Sequence, residues 1–96
     1  MKISIIGCGY VGAVTGAGFA ALGHEIVFVD LDPSKIAAIN AGQAPIYEPG
    51  LGGLLQENSS RIVATDDLTD AVRRTEVTFI CVGTPSRQDG SIDLTY

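Results

Sequence analysis

Gly7-Cys8-Gly9-Tyr10-Val11-Gly12 spaces three glycines as G-x-G-x-x-G, and Asp30 follows 21 residues after the second of them. Such a pattern brings backbone, rather than side chains, against a ligand. Gly7 allows a tight turn out of a strand, Gly9 lets the main chain approach a pyrophosphate, and Gly12 lets a helix lie close to that strand. N–H groups near Tyr10 and Val11 then start a helix whose positive dipole end meets the phosphate charge. A carboxylate at Asp30 can accept hydrogen bonds from adenosine ribose hydroxyls and would repel a 2′-phosphate. The expected cofactor is NAD rather than NADP. Lys35 can stabilise the same ribose or phosphate region, with a solvated helix lysine as the plain alternative. Thr84 falls just past the last strand, at the carboxyl edge where ligands of such folds bind; its alternative is a hydroxyl capping a turn.

Other reactive side chains carry less. Cys8 stands at an unconstrained position of the glycine turn and reads as a small apolar filler. His24 follows a helix end and reads as a surface residue near that dipole. Glu48 lies in a proline-rich loop with nothing beside it to mark an acid or base. Two cysteines and one histidine, without ligand spacing, give no metal site. Cys8 and Cys81, isolated inside apolar stretches, fit a reducing cytoplasm better than a disulfide framework.

These residues need elements to hold them. Residues 3–6 form a short β-branched run ending in glycine, as a buried parallel strand does. Val11, Val14, Thr15, Gly18, Phe19 and Leu22 recur at helical spacing, and Gly23 stands where a C-cap belongs. The opposite face, Ala13, Gly16, Ala17, Ala20 and Ala21, has nothing polar to meet water. A helix apolar all round is buried on both sides, so its Ala/Gly face is expected to need a cover that four strands do not supply. Residues 25–30 predict a second strand, and Asp32-Pro33 starts a helix that Gly42 stops. Residues 43–50 form a loop, and Leu51, Leu54 and Leu55 predict a short helix that Gly52 and Gly53 weaken. Residues 61–65 predict a third strand, residues 67–74 a helix, and residues 76–82 a fourth strand, after which Gly83-Thr84-Pro85 turns away. Asp89-Gly90 forms a further turn, and residues 93–96 resemble the first turn of another helix. The chain is therefore expected to be a piece of a longer protein.

Alternation of strands and helices implies βαβ units: a Rossmann-type, doubly wound parallel sheet in the order 3-2-1-4, with helices on both faces and truncated after the fourth strand. The 96 residues amount to one small domain, and 46% apolar residues suffice for a core. A net charge of −5 without any basic run argues against nucleic acid and anionic membranes as partners. The uncharged stretch over residues 3–23 holds six glycines, unlike a membrane span or a secretory signal.

The blocks M-K-I-S-I-I-G-C-G-Y-V-G, V-D-L-D-P-S-K-I, P-I-Y-E-P-G-L and F-I-C-V-G-T-P-S, in this order, resemble the amino-terminal part of the UDP-glucose/GDP-mannose dehydrogenases. The resemblance covers essentially the whole chain. It implies a four-electron oxidation of a nucleotide-sugar 6-hydroxyl to a carboxylate with two NAD, through a thioester on a catalytic cysteine. It implies cofactor contacts at Tyr10, Val11, Asp30, Lys35 and Thr84. Gly52 and Gly53 depart from the helix formers usual in related sequences. The family's catalytic cysteine, lysine and asparagine lie beyond residue 96, so neither Cys8 nor Cys81 is assigned that role, and this chain alone is expected to be inactive. A nucleotide-sugar substrate and further copies of the chain are the expected partners, and a place in polysaccharide biosynthesis is expected. Two rival readings are another NAD dehydrogenase, acting on a hydroxy acid or hydroxyacyl substrate, and a freestanding NAD-binding module.

Overall fold

Four parallel strands form one sheet in the order β3-β2-β1-β4. The computed structural model describes residues 1–82. The expected turns at Gly83-Thr84-Pro85 and Asp89-Gly90, the helix start over residues 93–96, and Thr84 itself lie outside the described residues. The elements run β1 (Lys2–Ile6), α1 (Tyr10–Ala21), β2 (Glu25–Val29), α2 (Pro33–Asn40), α3 (Leu51–Glu57), a short 3₁₀ turn (Ser59–Arg61), β3 (Ile62–Thr65), α4 (Leu68–Arg74) and β4 (Val77–Ile80). The strands and helices fall where the hydrophobic periods place them, within one or two residues at their ends.

Register in the sheet aligns Ile3 with Ile26 and Val77, and Ile5 with Phe28 and Phe79. Ile3, Ile5, Ile26 and Phe28 bury one face against Ala13, Ala17 and Ala20 of α1, with Ile39 of α2 and Leu51 and Leu55 of α3 in the same cluster. Val27, Val29 and Ala71 of α4 make the smaller core on the other face, with Ile6 packed against them. Between β1, β4 and α4 runs a chain of hydroxyls. Thr75 donates to Ser4 at 2.9 Å, and Ser4 and Thr78 share a hydrogen bond of 2.7 Å. Ser4 is fully buried yet partnered, so it adds no desolvation penalty of an orphan polar group.

The orientation of α1 corrects the sequence reading. Its Ala/Gly face is not the uncovered one: Gly12, Ala13, Gly16, Ala17 and Ala20 are buried on the sheet. Val11, Val14 and Leu22 point outward, with 59%, 39% and 76% of their surfaces exposed. The reason is steric. A Cβ on Gly16 would stand 2.3 Å from the Phe28 ring, so only the small-residue face lets the helix approach the strands so closely. Gly23 and Gly42 end α1 and α2 alike. Each donates its N–H to the carbonyl three residues back, and the next residue bonds five residues back, Phe19 from His24 and Ala38 from Gln43. The helix after Pro49 forms in spite of Gly52 and Gly53, because Leu51 and Leu55 are buried under it.

The two sheet edges differ. Asn40, at the end of α2, donates to the Ala64 carbonyl at 3.0 Å and accepts from the Ala64 N–H at 2.8 Å. Its amide acts as a short stretch of neighbouring strand and closes the β3 edge. Among the described residues no strand pairs with the outer side of β4.

Candidate functional site

β1 delivers the chain to the carboxyl edge of the sheet, and the glycine turn begins there. Gly7 donates to the Val29 carbonyl at 2.7 Å and takes φ of +101°, a region closed to most side chains. A Cβ at this position would also come within 2.9 Å of the Cys81 carbonyl oxygen. Gly12 is more constrained still, since a Cβ there would lie 1.9 Å from the Gly7 carbonyl oxygen. Two of the three motif glycines are thus required by the fold itself. Gly9 is different: a Cβ on it would meet nothing within 4 Å among the described residues. Its lack of a side chain leaves open space above the turn and serves no internal contact.

Gly9 is also the N-cap of α1, in extended backbone and with no side chain bonded to the first turn. The first helical bond runs from the Ala13 N–H to the Gly9 carbonyl at 2.9 Å. The N–H groups of Tyr10, Val11 and Gly12 therefore precede the helical ladder. No acidic residue occupies that first turn. The arrangement concentrates positive potential beside an opening that a side chain would otherwise fill, which suits a pyrophosphate.

Asp30 stands at the end of β2 and is only 8% exposed, so it is no surface carboxylate ending a strand. Its Oδ2 accepts from the Cys8 N–H at 2.8 Å, and its Oδ1 from the Asp32 N–H at 2.9 Å. One side chain thus ties the glycine turn to the start of α2. Each oxygen keeps acceptor capacity for a hydroxyl, since an ionised carboxylate offers about four lone-pair sites. Beside it, Ile6, Gly7, Val29, Leu31, Leu68, Ile80 and Val82 line a mainly apolar cleft of about 310 Å³. An apolar cleft edged by the carboxylates of Asp30 and Asp66 has room for an adenine with its ribose. A second cleft, of about 370 Å³, lies at the amino edge among Lys2, Glu25, Arg61 and Arg74, away from the glycine turn.

The remaining candidates among the described residues sit in the first turns of two helices. Tyr10 and Val11 are exposed at the head of α1, and Lys35 is half-buried in the first turn of α2. The charge on Lys35 bears on both the Cys8 thiol and the Asp32 carboxyl, which sets it near the turn. Cys8 is wholly buried, and its thiol faces the Val29 carbonyl at 4.0 Å. Burial, reinforced by the Asp30 charge, pushes that thiol up to about 12, so it is no nucleophile near neutrality. Burial also raises the Cys81 thiol. Among the described residues, no group of three His, Cys, Asp or Glu side chains is placed to hold a metal, and no helix is long and apolar enough to cross a membrane. Sequence reasoning missed the two backbone bonds of Asp30 and the Asn40 clamp. The Cys8 bond and the clamp join segments that only the fold brings together, whereas the Asp32 bond is a local contact two residues on.

Comparison with known proteins gives a concordant result. The sequence model of the UDP-glucose/GDP-mannose dehydrogenase family, NAD binding domain, matches residues 1–96. A UDP-glucose 6-dehydrogenase of Rhizobium meliloti is 54% identical over 99 residues, which cover 100% of this chain and 23% of that protein. A GDP-mannose 6-dehydrogenase of Pseudomonas aeruginosa is 50% identical over 98 residues, again with the whole chain and 22% of the relative. The chain thus spans less than a quarter of the length of these relatives. Among solved structures, a ternary complex of the Pseudomonas aeruginosa GDP-mannose dehydrogenase superposes with a TM-score of 0.93 over 98% of this chain and 22% of that one, at 50% identity. A UDP-glucose dehydrogenase of Pyrobaculum islandicum gives 0.90 at 45% identity, over 98% of this chain and 22% of that one.

Proposed function

The chain belongs to the UDP-glucose/GDP-mannose dehydrogenase family, over its NAD-binding domain, and on that premise we propose how its residues divide the work. The turn from Gly7 to Gly12 holds the pyrophosphate of NAD on the N–H groups of Tyr10 and Val11. Asp30 receives the adenosine ribose, Lys35 supports the same region, and Thr84 is a further cofactor contact. NAD, when bound, supplies a hydride acceptor. The residues of this chain bind and orient it; they contribute no acid, base or nucleophile.

In the longer protein that carries this domain, the reaction we propose is oxidation of a nucleotide-sugar 6-hydroxyl to the carboxylate. UDP-glucose is the first candidate substrate and GDP-mannose the second, as the names of the relatives on both sides suggest. The catalytic groups then come from the rest of that protein, acting in the cytoplasm as a homo-oligomer and supplying acidic sugar nucleotides for polysaccharide biosynthesis.

The observation that carries this reading is the contrast among the motif glycines. Gly7 and Gly12 are needed by the fold, whereas Gly9 borders open space beside the first N–H groups of α1. Calorimetric titration of NAD into the protein and its Gly9→Val variant tests it. Binding is expected to weaken at least about a hundredfold, with stability lowered only by the poorer N-cap, about 1 kcal/mol. Undiminished NAD binding by the variant would overturn the proposal.

A further inference from the structure

Asp30 is the residue that sequence spacing assigns to cofactor choice, but the structure shows its charge already engaged. Both carboxylate oxygens accept backbone N–H bonds, and the side chain is almost wholly buried. Backbone dipoles aimed at a carboxylate cancel part of its field toward a ligand outside. Repulsion of a 2′-phosphate at this ribose site would then fall more on the two neighbouring carboxylates.

Asp66 is one, in the lining of the same cleft; the other is Asp32. Its side chain is exposed, and its Oδ1 accepts from the Ser34 N–H at 2.9 Å and the Ser34 hydroxyl at 2.7 Å. Its own N–H is the group held by Asp30 Oδ1. Adding the reach of one aspartate side chain to that bond keeps the two carboxylates within about 7 Å of each other, inside the roughly 8 Å Debye length of physiological salt. The bonds from Ser34 lower the Asp32 pKa, so the side chain stays ionised across the neutral range.

We propose that Asp32 is a second determinant of cofactor choice, an exposed negative charge fixed beside the ribose site that repels a 2′-phosphate. The proposal rests on the NAD reading given above. Within it, Asp30 grips the ribose and shapes the turn, while Asp32 supplies the outward field. The present arrangement thus separates recognition of NAD from rejection of NADP.

The test measures Kd for NAD and for NADP by calorimetry, in the full-length protein carrying this domain and in two variants. Asp32→Asn keeps an acceptor for Ser34 and removes the charge. It is expected to narrow the preference for NAD over NADP about tenfold at low salt, the scale of one nearby charge acting on a dianion, with NAD affinity within about twofold of the parent. The gain should shrink as salt is raised. Asp32→Glu keeps the charge and spoils the cap geometry, and is expected to go on excluding NADP. An unchanged preference in Asp32→Asn would overturn the inference, as would an Asp32→Glu variant that admits NADP equally well. Failure of the unmutated protein to bind NAD would instead overturn the cofactor reading beneath it, so the two failures are told apart.

Discussion

At Gly12 a single hydrogen decides whether helix and turn can coexist. A methyl there would collide with the Gly7 carbonyl oxygen, a backbone atom that has no rotamer to escape into. Gly12→Ala is therefore expected to destabilise the protein by about 1–3 kcal/mol, the usual cost of overpacking, read as a lowered urea midpoint. Gly9→Ala, by contrast, should cost only the weaker N-cap, about 1 kcal/mol or less. Cys8 offers a pH-dependent counterpart. Burial pushes its thiol up from an ordinary 9.0 to about 12 in the folded chain. The folded state therefore keeps a proton that the unfolded chain releases, and stability must fall as pH rises from about 9 toward about 12. Below 9 the contribution is fully present. Denaturation curves at increasing pH should show this decline, shallower in Cys8→Ala, and native Cys8 should resist alkylation at pH 8 until the protein unfolds.

At the scale of elements, α3 is a helix held by two leucines rather than by its own propensity. Gly53 lies inside it with open space where a Cβ would stand. Gly53→Ala should stabilise the protein by about 0.5–1 kcal/mol through a less flexible unfolded chain, measured as a higher thermal midpoint. The same element shows how α1 is flanked. Leu51 is buried in the core beneath the helices, whereas Val14 and Leu54 line a shallow cleft of about 320 Å³ between α1 and the start of α3. The exposed pair Arg74 and Asp70 adds little by comparison, because an ion pair in water is worth only about 0–1 kcal/mol.

For the molecule as a whole, the two sheet edges differ in what occupies them. Asn40 occupies the β3 edge, while β4 exposes Ile80 and, among the described residues, has no strand on its outer side. An unprotected edge is a template for another chain. The 96-residue chain by itself is expected to self-associate through β4, aided by the outward Val11, Val14 and Leu22 of α1 and not by its Ala/Gly face. Sedimentation at micromolar concentration checks this, and a clean monomer would count against it. Asn40→Ala should add a second mode of association by opening the β3 edge.

The glycine spacing, Asp30, the strand order and the caps of α1 and α2 could all be read from the sequence. Each depends on a few neighbouring residues or on the handedness of parallel crossovers, which leaves little choice of topology. Asp32 as the cap of α2 was equally legible, because its partner is two residues away. The facing of α1 was not. A helix apolar on every side has no polar face to orient it, so periodicity alone cannot say which stripe meets the sheet. Contact with Phe28 decided it, since only a Gly/Ala stripe allows that approach. Tertiary structure likewise made Asp30 the link between turn and helix, and Asn40 the clamp on β3, by joining segments 22 and 24 residues apart. Local steric rules act through the sequence, whereas packing and long-range hydrogen bonds exist only once the chain has closed on itself.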